Sequence, residues 1–188
     1  MTPSHFSLLT SYPLTYLCYF LYLASPLTLS EIRSMLPAPL RADLATTQTS
    51  QVLKSIDPTA QSVVRILAGQ CSCDLIRPRL ADQREDERHL RERYRRLEVP
   101  RTVTIEALER HRRGPPPFPA VDSIPRAVAA FVAEHARNAG TSLYYLHFSA
   151  EGESLSRVGS PRRTTVTQVA ATPDSWLVEG TPIFVSRP

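Results

Sequence analysis

The chain has 188 residues, 42% of them hydrophobic, and a formal net charge of +4. That is enough apolar material for a buried core and too much for a chain disordered throughout. Of the 22 Lys and Arg residues only Lys54 is lysine, and prolines number 17; a GC-rich coding sequence produces such a bias without selection for function, so arginine content alone argues for little. Residues 77–113 hold 12 Arg against 8 Asp and Glu and so carry the whole net charge, while three cysteines are too few, and odd in number, for a disulfide framework. The cysteine count fits a reducing, cytoplasmic setting.

No Asp, Glu, Lys or Arg precedes Glu31. Residues 1–15 carry no periodic pattern and read as a disordered leader on one globular domain spanning 16–188. The run from Leu14 to Ala24 lies between Pro13 and Pro26, which bracket 12 residues, short of the about 20 needed to span a bilayer as a helix. A secretory signal would want a positively charged start. The run therefore reads as a buried central strand, rich in Tyr16, Tyr19, Phe20 and Tyr22; the alternative is export or membrane anchoring through residues 6–24.

Thr28-Leu29-Ser30-Glu31 has the form of a capping box and predicts a helix to Leu36, before Pro37 and Pro39. A second short helix is expected from Ser50 to Ile56, stopped by Asp57-Pro58, and a second strand from Gln61 to Ala68. Cys71-Ser72-Cys73 then emerges in a loop. Asp82 to Leu97 predicts a surface helix with a thin stripe of Leu90, Tyr94 and Leu97, and Val103 to Arg113 predicts another with Ile105 and Leu108 inward. Residues 114–123, with Pro115-Pro116-Pro117-Phe118-Pro119, read as an extended connector. Its basic-x-x-P-x-x-P form is also that of a polyproline ligand, though a rigid spacer explains it.

Ser123 to Ala139 is the clearest core helix, with Ile124, Val128, Phe131 and His135 on one face and Gly140 as its stop. Ser142 to Ser149 predicts a central strand, apolar on both sides. A polar loop from Glu151 to Arg163, a short helix from Thr165 to Ala171, and a hairpin joining Trp176–Val178 to Ile183–Val185 complete the chain. The fold class expected is α/β or α+β, a single mixed sheet of four to five strands with helices packed on it.

No phosphate loop, dinucleotide fingerprint, nucleophile elbow or zincin motif occurs, and six glycines leave little for a phosphate cradle. The functional expectation is a small non-enzymatic protein acting on an unknown protein partner through its Arg/Glu-rich helices. The alternative is a metal-binding or redox-active thiol protein using Cys71 and Cys73, with Cys18 and His147 completing a zinc set; one Cys-x-Cys pair supplies only two of the four ligands zinc wants. Buried small hydrophobes are the ordinary role of free cysteines, and core imidazoles with a backbone partner the ordinary role of His135 and His147. A remote alternative makes Cys18 an N-terminal nucleophile of an amide hydrolase, should translation start at Leu17. Nucleic acid and membrane are not expected partners, because acids dilute the basic stretch and Tyr94 is its one aromatic; any nucleic-acid contact would use Arg88, Arg91, Arg95 and Arg112.

Overall fold

The computed structural model describes residues 17–68, 72, 75, 83–96, 99–113, 123–150, 155 and 158–188. In these, six strands form one mixed sheet: β1 (Leu17–Ser25), β2 (Leu40–Leu44), β3 (Ser62–Ala68), β4 (Ser142–Ala150), β5 (Arg162–Thr165) and β6 (Pro182–Ser186). Six helices accompany them among the described residues: α1 (Leu29–Met35), α2 (Thr47–Ile56), α3 (Gln83–Arg96), α4 (Arg101–Arg113), α5 (Ser123–Ala139) and α6 (Val166–Ala171). The fold is α+β. The leader expected at 1–15 and most of the proline-rich connector, residues 114–122, lie outside the described residues.

Strand order is β2-β3-β1-β4-β6-β5, with every neighbouring pair antiparallel except β5 and β6. β1 is therefore parallel to β2 across β3, and β3 is parallel to β4 across β1. With α1 inside the first crossover and α5 inside the second, this is the split β-α-β arrangement, extended at the β4 edge by β6 and β5. β1 and β4 sit in the middle, each apolar on both faces. In β1, Tyr19, Leu21 and Leu23 point to one side and Phe20, Tyr22 and Ala24 to the other, and all six are buried.

The two faces are covered differently. Over Tyr19, Leu21, Leu23, Tyr144, Leu146 and Phe148 pack Ile32 of α1, Val128, Phe131 and Val132 of α5, Val169 of α6, and Trp176. On the opposite face, Phe20, Tyr22, Leu143 and Tyr145 pack with Leu53 of α2, Ala60 and Leu155. α1 begins on the capping box expected of it, Thr28 exchanging hydrogen bonds with Glu31. α2 starts at Thr47, earlier than Ser50, because Thr46 caps it.

Two strands escaped the sequence reading, which expected four to five. β2 is an edge strand whose outward residues, Arg41 and Asp43, break the apolar pattern, and it follows two prolines. Arg33 of α1 donates its Nε to the Ala42 carbonyl at 2.8 Å, occupying that strand from the helix side. β5, expected as loop, is an equally polar edge, its Arg163 lying over the Phe184 ring at 5.3 Å. The closing hairpin is also corrected. Trp176–Val178 is not a strand; Glu179 makes an isolated bridge to Leu146, and a turn at Gly180 (φ 73) sends β6 to pair with β4 and β5.

Phe131 is 2% exposed beneath the sheet. Phe131→Ala should cost about 3–5 kcal/mol in urea unfolding, and a loss under about 1 kcal/mol would contradict this burial.

Candidate functional site

Two of the candidate residues, Cys18 and His147, meet at one end of β1. Cys18 is half-buried on the face shared with Phe20 and Tyr22. The register pairs Cys18 with Ser149 and Phe20 with His147, so Cys18 and His147 are diagonal neighbours on one face of adjacent strands. Half-buried His147 stacks on Tyr145, ring centroids 5.9 Å apart at 21°. Burial, the Glu179 carboxylate and Tyr22 push the Tyr145 phenol up to about 12, so it stays protonated at neutral pH.

Ser72 is the functional surprise of the Cys-Ser-Cys segment. It is completely buried, its amide donates to the Tyr19 carbonyl at 2.8 Å, and its hydroxyl accepts from the Leu21 amide at 2.8 Å while donating to the Ile66 carbonyl at 2.6 Å. One small side chain thus satisfies backbone groups of β1 and β3 where their own ladder ends. Nothing in the sequence distinguished this serine from a loop residue. Cys71 and Cys73 lie outside the described residues. Among the described residues no group of three or more His, Cys, Asp or Glu is arranged to hold a metal ion.

His135 belongs to a separate site. It is fully buried on α5, with Nε2 2.8 Å from Ser25 Oγ and Nδ1 3.4 Å from the Tyr144 hydroxyl. Ser25 Oγ also accepts from the Leu27 amide, so the serine joins the end of β1 to both the helix and the turn after the strand. The partners are side chains, where a backbone partner was expected. Trp176 stands edge-on to Tyr144 at 5.4 Å, and its indole nitrogen and the Ser142 hydroxyl are buried with no hydrogen-bond partner. Burial depresses the His135 imidazole to about 4 and raises the Tyr144 phenol. A Ser–His contact of this length resembles an activated hydroxyl, but Ser25 is 0% exposed and no substrate atom can reach it.

The charged helices form a hairpin pinned at two points. Tyr94 of α3 is buried, 6.1 Å from Phe148, and Leu108 of α4 is buried as well. Glu87 receives both Arg112 nitrogens, at 2.6 and 2.7 Å, a bidentate bridge between the helices. Arg88, Arg91, Arg95 and Arg112 are all exposed, Arg91 lying 4.0 Å from Glu87. Ile105, expected inward, is 43% exposed: α4 turns Leu108 to the core and leaves the neighbouring ridge to solvent. Leu97 of the expected α3 stripe lies outside the described residues.

No helix among the described residues is long and apolar enough to cross a membrane. No protein-family model, curated protein or solved structure matches the chain.

The neutral His135 makes stability depend on pH with a definite sign. The unfolded chain takes up a proton below the usual imidazole value of 6.5, the native state only near 4, so stability is full above that window and is lost as pH falls through it. The loss should approach on the order of 3 kcal/mol at its foot. His135→Gln should flatten the profile of urea-unfolding free energy between pH 6.5 and 4; a variant as acid-sensitive as the parent would overturn the assignment.

Proposed function

We propose that the protein works without catalysis of its own, as a cytoplasmic interaction protein whose contact face is the α3–α4 hairpin. The supporting observation is Ile105, 43% exposed in a setting of exposed Arg101, Thr102, Glu106, Glu109 and Arg112. An apolar centre with a charged rim is the pattern of a protein interface. The hairpin is held by Tyr94, Leu108 and the Glu87–Arg112 bridge, so the solvent-facing ridge is not consumed in folding. Nucleic acid fits less well. Arg112 and Arg91 share Glu87, and a basic surface so diluted should bind DNA or RNA weakly and release it near physiological salt.

Ile105→Glu and the combined Arg88→Glu, Arg91→Glu, Arg95→Glu variant should keep the native circular dichroism. Each should retain less than about a tenth of the partner protein held by the parent in extracts of the native host, as for loss of a central anchor. Retention of the same partner at the same level by both variants would sink this reading.

A second reading, a metal-binding thiol site, is favoured by one specific observation. Cys18 and His147 share a sheet face, and the amide of Ser72, the residue between Cys71 and Cys73, is bonded to Tyr19, next to Cys18. Zinc would find four candidate donors in Cys18, Cys71, Cys73 and His147, the number a closed tetrahedral site needs. Stoichiometric zinc in protein prepared without chelator, lost in Cys71→Ser and in Cys73→Ser, is the expected result; metal-free parent protein would end this alternative.

A further inference from the structure

Among the described residues β2 forms one of the two open edges of the sheet. The ladder shows which of its peptide groups face outward. The Ala45 amide donates to the Val63 carbonyl at 3.0 Å, and the register pairs Asp43 with Arg65 and Arg41 with Leu67. By the alternation of an antiparallel pair, the odd-numbered residues turn their N–H and C=O toward β3, and Leu40, Ala42 and Leu44 turn theirs away from it. Two of these outward groups are taken from within the chain. The Leu40 amide donates to the Pro37 carbonyl at 2.9 Å, and the Ala42 carbonyl accepts from Arg33 Nε at 2.8 Å. Arg33 comes from the last turn of α1, and the same guanidinium lies 3.5 Å from the Asp43 carboxylate. We propose that Arg33 guards this edge, keeping β2 of one copy from pairing with β2 of a second.

This edge needs a guard more than the other does. β5, at the far side of the sheet, is four residues long and opens on Arg162 and Arg163, the short and charged form that natural edges take. β2 instead ends on Leu44, 62% exposed. An open strand is a template for any other strand, and two copies of β2 related by a two-fold axis would exchange hydrogen bonds through their outward residues. Ala42 is the middle one of the three, so its carbonyl is the central acceptor of that pairing. A guanidinium bonded to it has to lie outside β2, where the backbone of a second strand would run. The second strand then loses its middle bond and meets a cation in its place. Arg41 and Asp43 do not substitute for this barrier, because their peptide groups are spent on β3 and their side chains stand on the sheet face, 3.9 Å from one another.

The proposal is independent of the reading of the α3–α4 hairpin, which lies elsewhere in the chain. It is tested by sedimentation of the full chain over about 1 to 500 µM, the weak range expected of a contact well below a standard interface. Arg33 is exposed, and Met and Ala are both good helix formers, so Arg33→Met and Arg33→Ala should keep the native circular dichroism. Each should self-associate reversibly, at least about tenfold more tightly than the parent. Adding Leu44→Lys to Arg33→Met restores a cation at the edge and should return the chain to the parent's behaviour. Variants that both sediment as the parent does, or association that Leu44→Lys leaves intact, would overturn the proposal. Loss of native circular dichroism in both single variants would overturn it as well, since Arg33 would then be a requirement of the fold.

Discussion

Everything in this fold is arranged around the double burial of β1. A strand with apolar side chains on both faces has to be covered above and below, and its backbone has to be paired along both edges. β3 and β4 supply the two ladders, and where the β3 ladder stops at Leu21 and Ile66, Ser72 takes over with three hydrogen bonds of its own. Tyr19 extends the consequence further. Its ring stands against Phe148 at 5.0 Å, and its hydroxyl donates to Glu179 at 3.2 Å, tying the strand to the chain that precedes β6.

Three of the polar groups inside this core have structural work that accounts for them. Ser25, His135 and Tyr144 join the end of β1, helix α5 and β4 in one place, which positions the helix along the sheet as apolar packing alone would not. The imidazole is neutral there because burial disfavours its charged form. The charged hairpin at the rim is joined to the core through Tyr94 and Phe148.

The elements most legible in the sequence were those with the strongest apolar pattern. β1, β4 and α5 were expected from runs or stripes that few other conformations could bury, and α5 occupies the Ser123–Ala139 span read for it. β2 and β5 were illegible because edge strands bury one face at most and carry polar residues outward, so Arg41, Asp43, Arg162 and Arg163 look like loop. Ile105 was misplaced for a related reason. A helix with few apolar residues does not reveal by periodicity which of two adjacent ridges its neighbour covers, and the residue α4 buries is Leu108. Of the candidate site, the diagonal placement of Cys18 and His147 depends on strand register, and the partners of His135 on tertiary packing; neither is written in local spacing.

Native-state hydrogen exchange tests the central place of β1 most directly, because an amide paired between two ladders opens only when the sheet does. The amides of Phe20 to Ala24 should exchange only through global unfolding, with an opening free energy that follows denaturant as the whole-molecule transition does. Those of β2 and β5, at the two edges, should open at markedly lower cost. Exchange of the β1 amides as fast as that of either edge strand would contradict an architecture built on its double burial.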